Sequence, residues 1–217
     1  MDSIRYYVAL AILSFLPPVI LYWFSIHPLI RFWRKVGLHL TLGIHYAGML
    51  LLAGLISLLC RPLLTVEFGT SPTLIGLALV PAFFSLILRK RLSRHLRPGI
   101  FTGIPELSPE KHKIPLLREG IYGRLRHPRY VQLFLGVVAY ALFCNYLTIY
   151  ILLPTLAIIL FLLALIEERE LRNRYGAEYD AYSARVPRFI PKLHWQSLAG
   201  RIRGSTSVIK TGTGRRP

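Results

Sequence analysis

GIYGRLRHPRY (Gly120–Tyr130), a mostly apolar run from Val131 to Ile166, and EERELRNRYGAEYDAYSARVPRFIP (Glu167–Pro191) form one continuous stretch whose reading decides the fold. The apolar run is too long for a single comfortable membrane crossing, which takes about 20 residues. Asn145, beside Tyr146, is the polar break near its middle. Two helices of about 15 to 20 residues, folded back at that point, fit the length. Such a hairpin returns Arg126 and His127 to the same membrane surface as Glu167 and Glu168. A basic-aromatic cluster then meets a carboxylate pair at one mouth.

Composition agrees with a membrane protein. Of the 217 residues, 53% are hydrophobic, and several apolar runs are nearly continuous, the signature of an integral membrane protein. The formal charge of +17 raises the question of nucleic acid. Lys and Arg, however, cluster in the segments between apolar runs, where the positive-inside rule accounts for them, so no nucleic-acid partner is expected. No soluble-looking segment is long enough to build its own core, which predicts one membrane domain over residues 1–200. Cys60 and Cys144 are isolated, without a CxxC pattern or a neighbouring His, and read as small apolar fillers.

Taken in order, the first apolar segment runs from about Tyr6 to Ile26 and is expected to be bent or broken at Pro17-Pro18. With only Arg5 before it and no small-residue cleavage site, it reads as a retained span rather than a signal peptide. A second span is expected from about Leu38 to Leu59 and a third from about Thr73 to Leu88. His39 and His45, six positions apart, are not neighbours on a helix face and read as structural or interfacial, so no metal site is expected. RKRLSRHLR (Arg89–Arg97) reads as an anchor against anionic headgroups. Residues 98–119 read as a surface loop or lid, and 201–217 as a disordered basic tail. The basic segments at Arg31–Lys35, Arg89–Arg129 and after Glu167 fall on one side of the membrane. The expectation is an all-α, multi-pass bundle of about five spans, N-terminus outside and mouth facing the cytoplasm.

At that mouth Tyr122, Arg126, His127 and Tyr130 come from the entry to the first hairpin helix, and Pro128 presets its first turn. The helix N-terminus beyond offers free amides to an anion. Glu167 and Glu168 lie at the membrane boundary, where ionised groups are costly without a partner. The bland alternatives are an interfacial RHP anchor and a Glu pair neutralised by Arg169, Arg172 or Arg174 on its own helix. Tyr175, Tyr179 and Tyr182 follow on an amphipathic helix interrupted at Gly176. Aromatic faces, an anion site and carboxylates together suit a ligand with an amino-acid end, a cationic centre and a flat base.

GIYGRLRHPRY, the hydrophobic hairpin, the Glu167-Glu168 pair and RYGAEYDAYSARVPRFIP, in that order, resemble the isoprenylcysteine carboxyl methyltransferase group and its phospholipid methyltransferase relatives. The resemblance covers the C-terminal third of the chain. It implies S-adenosylmethionine as cofactor, bound at the cytoplasmic ends of the hairpin helices, and a lipid or lipid-modified acceptor reached from the bilayer. It implies Tyr122, His127, Pro128, Tyr130 and Glu168 as cofactor-binding positions, with Arg126 and Glu167 as the catalytic pair. Two positions depart from the family pattern. Gln132 stands where Gly is usual, and Leu162 and Leu163 where eukaryotic members tend to carry an Arg. The second departure leaves the acceptor open, although Arg126 or Arg188 would be available in its place. The rival readings are a sterol-reductase-like enzyme using NADPH, which shares RHPxY and the tail pattern, and a transporter or structural membrane protein. Against the transporter, the spans hold almost no ionisable residues away from their ends.

Overall fold

A computed structural model describes residues 1–94, Leu107 and 115–191. Most of the expected lid at 98–119, residues 95–97 of the basic run, and the tail at 201–217 lie outside the described residues. Seven α-helices are described: α1 (Asp2–Ile26), α2 (Ile30–Val36), α3 (Leu38–Leu59), α4 (Pro72–Ser93), α5 (Pro128–Cys144), α6 (Leu147–Tyr175) and α7 (Ala177–Arg185). The fold is an integral membrane helical bundle. α1, α3, α4 and α6 are long and apolar enough to cross a membrane. The remaining expected span is α5, whose 17 residues give a rise of about 25 Å, the short end of the membrane-spanning range.

Local chemistry explains the breaks between these helices. Gly37, at φ 92° and ψ 154°, lets the chain turn from α2 directly into α3, a conformation open to a residue without Cβ. Ser71 caps α4 by accepting the Leu74 amide at 3.4 Å, and Pro72 occupies the first turn, where its missing N–H costs nothing. α4 continues past the expected end at Leu88 because Leu92 still has a buried position to fill. Asn145 takes the left-handed conformation, φ 57° and ψ 45°, which Asn tolerates better than other side chains. That one residue folds α5 back on α6, as the sequence leads one to expect. At Pro17-Pro18 the outcome differs, since α1 runs unbroken through both prolines. Pro18 is buried and α1 is held along its length by α3, α5 and α6. Packed neighbours keep a proline-containing membrane helix continuous.

α5 lies between α4, its most extensive partner, and α6, with α1 packed across α3, α5 and α6. The core is the seam of α1, α5 and α6: Leu16, Ile20, Trp23, Ile26, Val137, Leu156, Leu160 and Leu163. By contrast α3 and α4 turn Leu50, Leu51, Leu55, Leu58, Leu79 and Phe83 outward. Apolar chains exposed in such numbers suit hydrocarbon, not water.

The bundle is tied at the Asn145 end by a cluster around Arg5. Its side chain is fully buried; Nε and Nη2 donate to the Cys144 carbonyl at 3.0 and 2.8 Å. Nη1 faces Glu67 at 2.7 Å, Thr70 at 2.8 Å and Asp2 at 2.9 Å. The 61–71 loop adds a single bridge between Glu67 and Tyr146, and Asn145 donates from Nδ2 to the Gly69 carbonyl at 2.9 Å. One cation thus joins α1, the loop and the hairpin turn.

Candidate functional site

At the opposite end of the hairpin the chain brings the sequence-marked residues together, and tertiary hydrogen bonds do it. The tail after α7 returns to the RHP turn: the Arg126 amide donates to the Pro187 carbonyl at 2.9 Å and the His127 amide to the Arg188 carbonyl at 3.1 Å. His127 is the residue before α5, and Pro128 is its first helical residue. Residues preceding proline avoid the helical region, and His127 takes φ −120° and ψ 57°, just outside α5. Its ring stacks on Tyr130, centroids 5.4 Å apart and planes 4° from parallel, with Phe189 at 5.8 Å on another side.

Glu168 is the hub. Its carboxylate, 2% exposed as a residue, accepts from Arg126 Nη1 at 2.9 Å, His127 Nε2 at 3.1 Å, and Arg188 through Nε at 2.9 Å and Nη2 at 3.0 Å. Both oxygens are engaged. Charge-assisted bonds of this number compensate the burial of a carboxylate. Glu167 sits differently. Its Oε2 accepts the Tyr130 hydroxyl at 2.9 Å and lies 3.3 Å from His127 Nδ1, while its side chain is one-third exposed. Among the described residues nothing donates to its Oε1. Arg126 Nε is likewise buried without a partner among them.

The electrostatics follow from this crowding. Burial alone would lower the His127 pKa, but the hydrogen bonds it donates to Glu167 and Glu168 outweigh it and raise the pKa above the ordinary value of 6.5. Burial and the Glu167 charge push the Tyr122 phenol up. Burial, then the neighbouring Tyr179, does the same to Tyr182, whose hydroxyl donates to the Tyr122 carbonyl at 2.8 Å. Both phenols therefore stay neutral.

All seven sequence-marked positions (Tyr122, Arg126, His127, Pro128, Tyr130, Glu167 and Glu168) converge here, while the bland helix-face pairing of the two glutamates does not occur. Arg172 pairs with Asp180 at 2.8 Å instead. What sequence reasoning weighed only as a substitute is Arg188, which grips Glu168. Its signal was the rigid Pro187–Pro191 tail, which limits where the chain can go after α7. Gln132, the departure from the family pattern, links α5 to α4: its Nε2 donates to Ser85 Oγ at 3.1 Å, and that hydroxyl donates to the Gln132 carbonyl at 2.9 Å. Of the other departures, Leu163 is buried in the core and Leu162 faces outward. His45 packs against Tyr22 and Trp33 and meets Ser25 Oγ at 3.1 Å. Among the described residues no group of three His, Cys, Asp or Glu is arranged to hold a metal ion.

An apolar groove of about 260 Å³ opens between α5 and α6 beside this cluster. It is lined by Tyr130, Phe134, Leu135, Ala157, Leu160 and Phe189. A buried carboxylate hub, one accessible carboxylate and an apolar groove share one end of the hairpin. Residues 99–178 match the phospholipid methyltransferase family model. The match bears out the resemblance drawn from the motifs and supports a membrane methyltransferase. A curated relative, the 7-dehydrocholesterol reductase of Danio rerio, is 32% identical over 85 residues, which are 38% of this chain and 18% of that protein. The chain thus aligns with under a fifth of that relative's length. No solved structure matches the chain.

Proposed function

We propose that the protein is an S-adenosylmethionine-dependent methyltransferase that modifies a lipidic acceptor, with the hairpin mouth facing the cytoplasm and residues 1–200 acting as one membrane domain. The observation that carries this reading is Tyr130: it lines the apolar groove and donates its hydroxyl to Glu167. An acceptor lying in the groove and a polar ligand on Glu167 would meet at that side chain. The residues present fit the cofactor's amino-acid end. Among the described residues Glu167 Oε1 has no donor and suits an ammonium, and Arg126 Nε, near the Tyr179 phenol, has no partner and suits a carboxylate. Tyr122 and His127 add aromatic surface for a flat base.

S-adenosylmethionine supplies, when bound, a methyl group already activated on a sulfonium. The protein's work is then to hold acceptor and methyl group in line and to exclude water. In this reading Glu168 keeps Arg126, His127 and Arg188 in place, while Glu167 and Arg126 contact the ligand. Tyr130 fixes the Glu167 rotamer, and Phe134, Leu160 and Phe189 keep the acceptor's reacting end dry. No general base is needed for a carboxylate or thiolate acceptor. A prenylcysteine-like carboxylate, methylated on oxygen, is the acceptor favoured by the family resemblance.

The test is incubation of membranes containing the protein with methyl-labelled S-adenosylmethionine, followed by extraction. Label in the lipid fraction, absent in Glu167→Gln membranes, is the expected outcome. A second reading, a reductase using NADPH, is favoured by the identity to the zebrafish reductase. Saturable NADPH binding by purified protein, with no S-adenosylmethionine binding, would replace the first reading with the second.

A further inference from the structure

The end of α4 and the turn before the candidate site form a second polar crevice, on the other side of α5. Arg91 and Arg94, three positions apart at the C-terminal end of α4, share one helix face. A short 3-10 turn, Gly120–Gly123, is followed by Arg124 and packs against α4. Buried Leu92 and Ile121, with Leu88 and Leu117 around them, lock the two segments together. The result is a crevice of about 260 Å³ lined by Arg91, Arg94, Arg124, Gly120 and Ile121. That is room for several water-sized groups, at about 30 Å³ each.

The charge here is uncompensated by the described chain. Arg5, Arg118, Arg126, Arg172 and Arg188 each face a carboxylate, yet none of the three crevice arginines pairs with an acid among the described residues. Like charges held side by side repel unless an anion lies between them. Planar guanidinium groups converging on one space suit the oxygens of a phosphate. Below the crevice, Leu77, Val80, Phe84 and Ile87 continue the face of Arg91 and Arg94 at spacings of three and four. Leu77, Val80 and Phe84 are each more than half exposed. From Leu77 to Arg91 the face rises about 21 Å along the helix, enough to cover the roughly 15 Å depth of one leaflet of the hydrocarbon core.

We propose that Arg91, Arg94 and Arg124 bind the phosphate of an anionic phospholipid whose acyl chain runs down the Leu77–Val80–Phe84 face of α4. The crevice uses none of the side chains assigned to methyl transfer, although Tyr122 of that site packs on the same Leu92–Ile121 core. A free phosphate would use the three arginines but not the stripe, and that difference separates the two sources.

The experiment uses the full chain, purified and delipidated in detergent, titrated with phosphatidylglycerol, phosphatidylcholine and inorganic phosphate while bound lipid is read by native mass spectrometry. Phosphatidylglycerol is expected to saturate one site and to bind at least tenfold more tightly than phosphatidylcholine. Arg91→Gln, Arg94→Gln and Arg124→Gln together should weaken it about a hundredfold, from roughly fivefold per basic residue at an anionic surface. A control with the same charge change, Arg31→Gln, Lys35→Gln and Lys90→Gln, should stay within about twofold. Equal loss in both triple variants would mean diffuse attraction and would overturn the site. Inorganic phosphate displacing the lipid at equal concentration would overturn the lipid assignment. Should the crevice triple variant fail to fold, Arg91→Gln alone reads the same effect at about fivefold, and no change there counts against the proposal.

Discussion

The two ends of the hairpin hold polar clusters built with opposite signs. At the Asn145 end a single buried cation, Arg5, is surrounded by acceptors: the Cys144 carbonyl, Glu67, Thr70 and Asp2. At the Glu167 end a single buried anion, Glu168, is surrounded by donors: Arg126, His127 and Arg188. The first cluster spends its central charge entirely within the chain. The second does too, but it holds beside the hub a second carboxylate with one oxygen that no described residue engages. A closed cluster fastens helices together; a cluster with an unused acceptor and an unused donor can also receive something. That difference, more than the presence of charge, separates clamp from site.

The comparison is broken most directly at Arg5. Arg5→Ala would leave Glu67 without its cation and the Cys144 carbonyl without donors in a buried place. Glu67 and Asp2 are one-third and three-quarters exposed and can rehydrate, so the expected loss is about 3 kcal/mol, the upper end for hydrogen bonds to a charged group. Thermal unfolding in detergent should show it, with S-adenosylmethionine affinity of the remaining folded protein unchanged. A variant as stable as the parent but unable to bind the cofactor would reverse the assignment of clamp and site.

At the other end the two glutamates should part company. Glu168→Gln removes the charge that three donors share, but Arg188 is partly open to solvent and can rehydrate. The expected loss is about 2–3 kcal/mol, the scale of hydrogen bonds to charged groups, together with loss of cofactor binding. Glu167→Gln should cost under about 1 kcal/mol, since its side chain is one-third exposed, and still weaken cofactor binding at least tenfold. If calorimetry gives both variants the same profile of stability and affinity, the distinction between hub and contact residue fails.

Protonation offers a gentler probe of the same end. The folded-state pKa of His127 is raised above its ordinary 6.5, so the folded protein holds this proton more tightly than the unfolded chain does. The contribution to stability is then complete below about pH 6.5 and is lost as pH rises through the folded value. Melting temperature should fall with pH above 6.5, and His127→Gln should flatten that slope. An unchanged slope in the variant would locate the titration elsewhere.

Much of this was legible in the sequence because a membrane restricts the possibilities. Apolar length placed α3 at about its observed bounds and came within a few residues at α1 and α4. The one polar break placed the turn at Asn145. Motif order marked the seven candidate residues, which the fold brings to one end of the hairpin, without any distance information. What could not be read was long-range pairing. Arg5 looked like an ordinary flanking charge, because nothing local reveals that Glu67, Thr70 and a carbonyl 139 positions away converge on it. Arg188 was likewise visible, but its grip on Glu168 depends on backbone bonds from the tail to Arg126 and His127. Hydropathy sees burial along one helix and is blind to which loop closes over it.

Gln132 gives the smallest expected effect. Where the family resemblance leads one to expect Gly, this chain places a polar side chain facing α4, and Gln132 and Ser85 exchange two hydrogen bonds. A single interhelical hydrogen bond in a membrane contributes about 0.6 kcal/mol, because alternative partners exist in the separated state. Gln132→Leu should therefore lower stability by about 0.5–1.5 kcal/mol. Ser85→Ala should do the same, and the double variant should cost less than the sum of the two. Cofactor affinity should hold in all three, since neither side chain reaches the Glu167–Glu168 cluster. Additive costs in the double-mutant cycle would show that Gln132 and Ser85 act independently, and the departure from Gly would then need an explanation in the groove rather than between α4 and α5.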